Sequence, residues 1–423
     1  MSEATKNPRV LYLHPRSWTG DRFLLSGLQA MGFEVCVLEE NRQHLLRRSD
    51  QTTDYMAQDG IPTLWYHPQK HWAKYLFAPF DMLLKRGFDG RALLHRMAMI
   101  LYAVKRFKPD LIYCGDGFTY ALPSGLLRRL KLLHIPVIAQ CIGGDVLDVP
   151  EAEVGKRRQG LTYTLMRSAL PYLDRVRAIS PLIAAQLTQH FGVQASKIFI
   201  LPNHMPLTES QWTQLVTERD AIREKIRQQY QLPNDSQICV TLSGNQKGKG
   251  IHLLAALWPS LVNQHRDLYW LLCGPENTWF NQTVRPQIQA GIDAGRIILT
   301  GALTQEAVYE HYAAGDLFIN PTLADGLNMT VVEAALMGLP TVCSTHAGIE
   351  HWVSKYHAGW LADPKEPDAF LKQIQLALNR AEREAMTQGL TLMANEFFPA
   401  TIFRQLKAEL DHACHPSNIP SKR

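Results

Sequence analysis

The sequence lacks the marks of a membrane-spanning, secreted or disulfide-bonded protein. Its longest apolar run, near residues 97–104, is far shorter than the ~20 residues that cross a bilayer. The first residues, MSEATKNPRVLYLHP, include an acid and no apolar core before the first predicted strand, unlike a secretory signal. The 7 cysteines are scattered without a C-x-x-C pair, which argues against a disulfide framework or a zinc site. These absences predict a cytoplasmic protein.

Several nucleotide and metal motifs are absent as well. The stretch SGNQKGKG (243–250) is not a P-loop, because that motif needs Gly-Lys followed by Ser or Thr, and here Lys249 is followed by glycine. No strict G-x-G-x-x-G is followed by an acid, so a nicotinamide dehydrogenase has little support. The sequence has no His-Glu-x-x-His and no two Asp residues separated by one position, and its 16 histidines are scattered. We therefore expect no metal ligands and no metal cofactor.

The charge is divided unevenly along the 423 residues. Residues 1–200 hold 26 Lys and Arg against 17 Asp and Glu, a net +9, whereas the remainder holds 18 against 22, a net −4. Two domains with different partners would explain this difference. The basic half could contact anionic lipid, a phosphorylated acceptor or nucleic acid, or its charges could simply be solvated.

Short apolar runs recur between helical segments, and they do not alternate apolar with polar residues. Such runs indicate strands buried on both faces, as in a parallel sheet covered by helices. Their repetition in both halves predicts an α/β protein with two Rossmann-like, doubly wound domains. The runs are VLYLH (10–14), VCVL (35–38), DLIYC (110–114), PVIAQ (136–140), VRAIS (176–180), IFIL (198–201), ICVTL (238–242), LYWLLC (268–273), RIIL (296–299), DLFIN (316–320) and PTVCS (340–344).

The domain boundary is expected after LPNHMPL (201–207), because a polar, charged helix follows before the next strand. We therefore assign residues 1–205 to a first domain and residues 206–398 to a second. Residues 399–423 begin at a proline and predict a terminal helix that packs back on the first domain. The helix is followed by a loose tail, HPSNIPSKR.

The stretch PTLADGLNMTVVEAALMGLPTV (321–342) carries two carboxylates eight positions apart, Asp325 and Glu333. A strand ends before it, and a helix is predicted from about Met329, so free N–H groups and the helix dipole would attract an anion. Gly326 would let backbone approach a ligand closely. A diphosphate with a sugar at one end and a ribose at the other fits this layout. The alternative is that Asp325 only caps the helix and Glu333 is a solvated acid.

The same stretch resembles the signature of the retaining glycosyltransferases of family 4, which have the GT-B fold. Their pattern is an acid, seven residues, Glu, then a small-residue helix and Gly-x-Pro; here Gly338-Leu339-Pro340 ends it. The family has Glu at the first acid, whereas this chain has the shorter Asp325. The resemblance implies that Asp325 orients the transferred sugar as a catalytic residue and that Glu333 holds the ribose. It further implies that the backbone of Gly326, Leu327 and Asn328 helps to bind the diphosphate.

The resemblance extends through the predicted second domain. LSGNQKGKGIHLL (242–254) is similar to the family's first strand and phosphate loop, with Asn245 where an Arg is usual. Lys249 keeps the loop's lysine, and Lys247 is a candidate for the missing charge. LTGALTQEAVYEHYAAGDLFINPT (299–322) is similar to the segment that holds the nucleobase with backbone around Gly301 and Ala302.

The predicted first domain carries a weaker resemblance. Gly20 matches one of the two glycines after the family's first strand. CIGGDV (141–146) keeps Gly143 and Asp145 of the family's His-Gly-x-Asp, but Ile142 replaces the histidine that commonly lies near the transferred sugar. By resemblance, Asp145 is a catalytic candidate and Gly20 contacts substrate. Asp116, which follows a strand, could contact the acceptor or cap a helix.

The resemblance implies a metal-independent transferase that moves a hexose from a nucleoside-diphosphate sugar to a glycan or lipid-linked acceptor with retention. Polysaccharide or lipopolysaccharide assembly is the expected setting, and nucleic acid is not an expected partner. Two alternatives stay open: a nucleotide-sugar epimerase of the same fold, and a catalytically inactive relative. The basic, apolar segment 77–110 could lie on the inner face of an anionic membrane, or it could be a core helix with solvated charges.

Overall fold

Residues 7–14, 19–40, 56–58, 60–66, 79, 93–155 and 159–414 are described by a computed structural model of the chain. The chain forms two compact units. The first contains residues up to Asp148, Gly155–Leu201 and the residues from Phe403 onward. The second contains Val149–Val154 and Pro202–Ile402.

The first unit alternates strands and helices, as the apolar runs predict. Its described elements are β1 (Arg9–His14), α1 (Thr19–Ala30), β2 (Glu34–Glu40), β3 (Met56–Gln58), β4 (Ile61–Tyr66), α2 (Leu93–Phe107), β5 (Leu111–Cys114), α3 (Ala121–Arg129), β6 (Val137–Cys141), α4 (Gly160–Ala169), β7 (Arg175–Ala178), α5 (Pro181–Phe191) and β8 (Ile198–Ile200).

The described strands of this unit form one sheet in the order β3-β4-β2-β1-β5-β6-β7-β8. Every neighbouring pair is parallel except β3 with β4, which is antiparallel. All residues of β5 and β6 are buried, because helices cover both faces. The strand order reverses between β1 and β5, so the loops that follow these two strands diverge and leave a crevice at the carboxyl edge.

The second unit continues the alternation. Its described elements are α6 (Glu209–Thr217), α7 (Arg219–Gln229), β9 (Gln237–Leu242), α8 (Ile251–Gln264), β10 (Leu268–Cys273), α9 (Thr278–Thr283), α10 (Arg285–Asp293), β11 (Ile297–Gly301), α11 (Gln305–Ala314), β12 (Leu317–Asn320), α12 (Met329–Leu336), β13 (Thr341–Ser344), α13 (Glu350–Tyr356), β14 (Gly359–Ala362), α14 (Pro367–Ala377), α15 (Arg380–Ala385), α16 (Thr387–Asn395) and α17 (Pro399–Cys414), the last of which ends in the first unit.

The second sheet has the order β11-β10-β9-β12-β13-β14, and its strand pairs are parallel. Counted from β9, this is the order 3-2-1-4-5-6 of a doubly wound dinucleotide-binding fold. The order reverses between β9 and β12. The loops after these two strands therefore flank the point where such sheets bind ligands.

The predicted strands and the structure agree closely. Each of the eleven apolar runs lies within or overlaps a described strand, and the α/β prediction is confirmed. The sequence reading missed β3, β4 and β14. Each of these has a weak signal: β3 has three residues, β4 contains Pro62, and β14 begins at Gly359.

The terminal helix contacts the first unit from Phe403 onward. Phe403 stacks on Phe23 with ring centroids 6.2 Å apart, and Glu409 forms an ion pair with Arg175 of β7. The ammonium of Lys407 lies 4.9 Å from the centre of the ring of Phe33, the residue before β2. The tail predicted to be loose, residues 415–423, lies outside the described residues.

Helix α2 covers the described part of the basic, apolar segment 77–110; most of residues 77–92 lie outside the described residues. Its apolar side faces the core: Met99, Ile100 and Phe107 are each at most 4% exposed. Arg96, one of the cations in the predicted basic face, is also buried, with its guanidinium 5.8 Å from the centre of the Tyr120 ring. The described part therefore matches the alternative of a core helix.

No helix within the described ranges is both long enough and apolar enough to cross a membrane. All seven cysteines are described and unpaired, and six of them are buried.

Glycine at position 250 ends the turn that precedes α8. Its φ is +69°, and an added Cβ would lie 1.8 Å from the carbonyl oxygen of Pro321. Gly295 has a similar φ of +66° with nothing within 4 Å of the same position. We expect Gly295→Ala to cost about 1 kcal/mol, because only backbone strain is added. Gly250→Ala should cost at least about 3 kcal/mol, because two backbone segments must also separate.

Urea unfolding of both variants, followed by circular dichroism, measures this difference. Equal losses in the two variants would contradict the close approach of the loops after β9 and β12.

Candidate functional site

The loops after β9 and β12 are joined at the point where the second sheet reverses its strand order. The carbonyl oxygen of Gly248 accepts two hydrogen bonds from the second loop, one from the N–H of Leu323 at 2.8 Å and one from the hydroxyl of Thr322 at 3.1 Å. Gly250, with its positive φ, permits this contact. The two loops therefore form one continuous rim at the carboxyl edge.

An ion pair also joins these loops. The Nζ of Lys249 lies 2.7 Å from Oδ2 of Asp325, and the side chains are 35% and 21% exposed. The other oxygen, Oδ1, accepts a hydrogen bond from the N–H of Leu327 at 3.1 Å. The alternative in which Asp325 only caps the helix is wrong, since no side chain caps α12.

The backbone of Asp325 is fixed by a third loop, the one after β13. Its N–H donates to the carbonyl oxygen of His346 at 3.3 Å, and its own carbonyl oxygen accepts from Gly348 at 3.0 Å. The His346 ring in turn lies 2.9 Å from the carboxylate of Asp363. The loops after β9 and β13 thus hold Asp325, in the loop after β12, in place.

Residues 326–328 form the turn that enters α12. Asn328 has a left-handed backbone, with φ +78°, and is 4% exposed. Its amide group donates to Asn320 Oδ1 at 2.8 Å, and its oxygen accepts from the hydroxyl of Thr330 at 2.6 Å. These bonds fix the turn to the end of β12. Because no side chain caps α12, the N–H groups of its first turn remain suited to an anion.

Glu333 lies in the second turn of α12 and is only 9% exposed. Its carboxylate has two long contacts, from Gln305 Nε2 and from the hydroxyl of Tyr312, both at 3.4 Å. Burial raises the pKa of Glu333 to about 7, and these two contacts oppose the rise only in part. The alternative of a solvated acid is therefore wrong, and the buried carboxylate has two hydrogen-bond contacts that are both long.

Three side chains of α11 surround Glu333, and the sequence analysis assigned none of them to the site. Gln305 and Tyr312 contact its carboxylate. Between them lies Tyr309, which is 2% exposed and whose hydroxyl has no hydrogen-bond partner among the described residues. Burial and the nearby Glu333 raise the pKa of Tyr309. The three residues are spaced by four and three positions in the sequence, which places them on one face of a helix and could have indicated a shared contact.

The remaining predicted donor-site residues lie on the same edge. Asn245 has φ +51° and is 1% exposed; its amide donates to the carbonyl oxygen of Pro275 at 2.6 Å. Lys247 is exposed. Gly301, with φ +71°, ends β11 and accepts a hydrogen bond from Gly274 at 2.9 Å, and Ala302 after it is exposed. Asn245 thus shapes the loop rather than replacing the charge of an arginine.

In the first unit, Asp145 binds backbone. It is 1% exposed, and its carboxylate accepts hydrogen bonds from the N–H groups of Gly117 at 2.9 Å and Gly143 at 2.8 Å, as well as from Ile142. These bonds connect the loops that follow β5 and β6. The geometry shows Asp145 as a residue that positions loops; contact with substrate stays a prediction.

Asp116 lies in the loop after β5, where the first sheet reverses its strand order. Its Oδ1 accepts from the N–H of Thr119 at 2.7 Å and from those of Phe118 and Tyr120 at 3.3 Å. It therefore caps the turn before α3, and a contact with acceptor stays a prediction. Gly20 is the second residue of α1.

No group of three or more His, Cys, Asp or Glu side chains within the described ranges is arranged to hold a metal ion.

The raised pKa of Glu333 predicts a pH-dependent stability. The folded pKa, about 7, exceeds the ordinary 4.5. The contribution of this group to the stability is therefore fully present below about pH 4.5 and is lost as the pH rises through 7. Glu333→Gln removes the ionisation, so its free energy of unfolding should exceed that of the parent by up to about 3 kcal/mol at pH 8.5, with little difference at pH 4.5.

Urea titrations of Glu333→Gln and the parent at both pH values test this. Glu306→Gln, an exposed acid of α11, is the control. A pH-independent effect of Glu333→Gln would contradict the burial argument.

Comparison with protein families gives two matches that cover most of the chain. The family described as glycosyl transferases group 1 matches residues 237–380, which begin at β9. The family described as glycosyl transferase 4-like domain matches residues 22–204. The first match spans β9 to β14 of the second sheet, and the second match spans β2 to β8 of the first sheet.

Two curated relatives have similar coverage. The amylovoran biosynthesis glycosyltransferase AmsK of Erwinia amylovora is 30% identical over 327 residues, which are 74% of this chain and 73% of AmsK. The O-antigen chain mannosyltransferase B of Escherichia coli is 24% identical over 303 residues, 70% of this chain and 72% of the relative.

Solved structures agree in fold. The structure of Anabaena HepE in complex with UDP superposes with a TM-score of 0.70 and 17% identity, covering 96% of this chain and 99% of HepE. At that identity the likeness establishes two parallel-sheet domains of the GT-B fold and no more. Together with the relatives and the two family matches, it shows that this chain belongs to the group 1 glycosyltransferases, which are similar to family 4.

Proposed function

We propose that the chain transfers a hexose from a nucleoside-diphosphate sugar to a glycan or lipid-linked acceptor, with retention of anomeric configuration and without a metal. The observation that carries the proposal is the rim at the carboxyl edge of the second sheet. There Lys249, Asp325 and an uncapped helix N-terminus lie next to one another, and the buried Glu333 lies one turn into that helix.

A diphosphate suits the first part of this rim. The ammonium of Lys249 has three donors and uses one with Asp325, so others are available to phosphate oxygens. The backbone N–H groups at Gly326 and Asn328 and the dipole of α12 add favourable interactions with negative charge, whereas the predicted contact through Leu327 is not kept, because its N–H already donates to Asp325. Lys247, exposed on the same loop, adds a further positive charge.

The ribose is assigned to Glu333. It stands four positions after Met329, the first residue of α12, so it lies about 6 Å along the helix axis. Two vicinal hydroxyls would donate to the carboxylate and replace its two long contacts of 3.4 Å with stronger bonds. Donor binding then favours the ionised form, and donor affinity should fall as the pH is lowered through 7. We assign binding of the nucleobase to the backbone of Gly301 and Ala302. These residues come shortly before Gln305, which contacts Glu333.

The sugar is assigned to Asp325, whose carboxylate could accept hydrogen bonds from sugar hydroxyls once the diphosphate shares Lys249. Lys249 and the helix N-terminus would stabilise the negative charge that develops on the leaving nucleoside diphosphate, because both are already oriented toward it. No nucleophile is assigned, because the described residues of the site include no convincing one.

The acceptor is assigned to the carboxyl edge of the first unit. Gly20, Asp116 and the loops that Asp145 connects lie at that edge. The names of AmsK and of mannosyltransferase B refer to bacterial polysaccharides, and this supports a glycan or lipid-linked glycan as acceptor. The complexes of HepE with UDP and UDP-glucose support a nucleoside-diphosphate hexose as donor.

The test begins with calorimetric titration of the purified chain against UDP-, GDP-, ADP- and dTDP-hexoses. Turnover of the tightest-binding donor is then assayed with and without a panel of glycan and lipid-linked acceptors, and the product's anomeric configuration is read by NMR. We expect acceptor-dependent release of the nucleoside diphosphate and a retained configuration. Conversion of the donor to an epimer without acceptor would contradict the proposal, as would binding without any turnover across the acceptor panel.

Glu333→Ala should lower donor affinity at least tenfold, about 1.4 kcal/mol, because two hydroxyl contacts are lost. The matched control is Glu306→Ala, an exposed acid in the first turn of α11, which should leave affinity within a factor of two. Calorimetry at pH 8, with folding checked by circular dichroism, measures both. Unchanged affinity in folded Glu333→Ala would remove the ribose assignment.

A further inference from the structure

An exposed apolar surface lies on the first unit, away from the loops described above. Leu130 and Leu132 are 57% and 55% exposed, and Tyr172 beside them is 47% exposed. Arg129 and Lys131 belong to the same surface, and its five residues are named here the 129–132 surface. The guanidinium of Arg129 lies 5.7 Å from the centre of the Tyr172 ring, which connects the two segments.

The turn that presents these leucines is firmly held. Lys131 has φ +57°, the left-handed conformation that glycine usually provides after a helix. The N–H groups of Leu132 and Leu133 both donate to the carbonyl oxygen of Leu127, and Leu133 is 3% exposed. The exposure of the two leucines is thus built into the fold, because Leu133 anchors the turn while its neighbours face outward.

A second set of contacts fixes the turn from below. Arg128 donates to the carbonyl oxygen of Leu133 at 3.2 Å and forms an ion pair with Asp174 at 2.5 Å. The other oxygen of Asp174 accepts from the N–H of Val137, the first residue of β6, at 2.8 Å. Asp174, which follows Tyr172 closely in the chain, is therefore already paired.

The cations of the surface have no such partners. Among the described residues, neither Arg129 nor Lys131 forms an ion pair, and Lys131 is exposed. Glu409, another acid near the amino ends of these strands, is paired with Arg175. The surface is consequently apolar and positive, and the 200 residues that contain it carry a net charge of +9.

We propose that the 129–132 surface docks the chain onto an anionic lipid bilayer. Two leucines separated by a cation match the layered chemistry of a bilayer interface: apolar side chains enter the acyl region while Lys and Arg reach lipid phosphates. A half-exposed tyrosine beside them is typical of the same interface. Charge complementarity selects anionic lipid over a neutral protein partner.

The position of the surface is compatible with catalysis. Leu132 precedes β6 and Tyr172 precedes β7, so the surface lies at the amino ends of these strands. The loops held by Asp145 follow β6 at the opposite, carboxyl edge of the sheet. Lipid contact at 129–132 would leave those loops uncovered. The segment 77–110, the earlier candidate from sequence, faces the core where it is described.

Vesicle co-sedimentation tests the proposal with the full chain. Vesicles of phosphatidylcholine alone are compared with vesicles of 70% phosphatidylcholine and 30% phosphatidylglycerol. We expect binding to the second only, weakened by 0.5 M NaCl because the charges are exposed. Leu130→Ser/Leu132→Ser and, separately, Arg129→Ser/Lys131→Ser should each reduce the bound fraction at least fivefold.

The matched control is Leu376→Ser/Leu392→Ser, which removes two leucines of the second unit that are 42% and 47% exposed; it should stay within twofold of the parent. Lys105→Glu, on the exposed side of α2, tests the 77–110 segment separately.

Failure of the parent to bind, or equal losses in the control, would overturn the proposal. So would sedimentation velocity showing a parent oligomer that Leu130→Ser/Leu132→Ser dissociates, since the surface would then join two copies. Donor turnover with a soluble acceptor should be unchanged in these variants, so failure here is separate from failure of the transferase proposal.

Discussion

The ion pair between Lys249 and Asp325, 2.7 Å long, connects the two loops on which the candidate site of the second unit depends. These loops follow β9 and β12, the neighbouring strands between which the sheet order reverses. Crossover helices leave in opposite directions from that point, so an opening at the carboxyl edge is a consequence of topology. What the residues add is closure of the two loops into one rim, through Gly248, Gly250 and the ion pair.

The rim brings together groups that are costly for the fold when no ligand satisfies them. Glu333 is a buried carboxylate with only two long contacts, and Tyr309 beside it is a buried hydroxyl without a partner in the described part of the chain. Buried polar groups ordinarily find hydrogen bonds. Groups that do not are commonly found where a ligand completes them, and a nucleoside with vicinal hydroxyls has the donors that this carboxylate lacks. The poorly satisfied polar groups of this site lower the stability of the fold, and ligand binding explains why they are there.

The sequence predicts the architecture well because parallel strands buried on both faces leave continuous apolar runs. It also identifies Asp325 and Glu333, because an acid before a helix and another inside it have a recognisable spacing. It does not reveal that Glu333 is buried or that α11 surrounds it with Gln305, Tyr309 and Tyr312, since burial depends on how α11 and α12 pack. Asp145 shows a different limit of the sequence. The motif match predicts a catalytic role, whereas in the structure its carboxylate accepts hydrogen bonds from three backbone N–H groups. Lys131, which presents two leucines from a left-handed turn, has no local sequence signal because glycine is the usual residue there.

The central claim is that a nucleoside diphosphate lies across the turn at Gly326 with a carboxylate at either end. A crystal structure of the chain with a non-hydrolysable nucleoside-diphosphate sugar tests it most directly. The account predicts phosphate oxygens within hydrogen-bond distance of Lys249 Nζ and of the N–H groups of Gly326 and Asn328, ribose hydroxyls on Glu333, and sugar hydroxyls on Asp325. A donor bound elsewhere, or one whose ribose and sugar leave both carboxylates untouched, would contradict it.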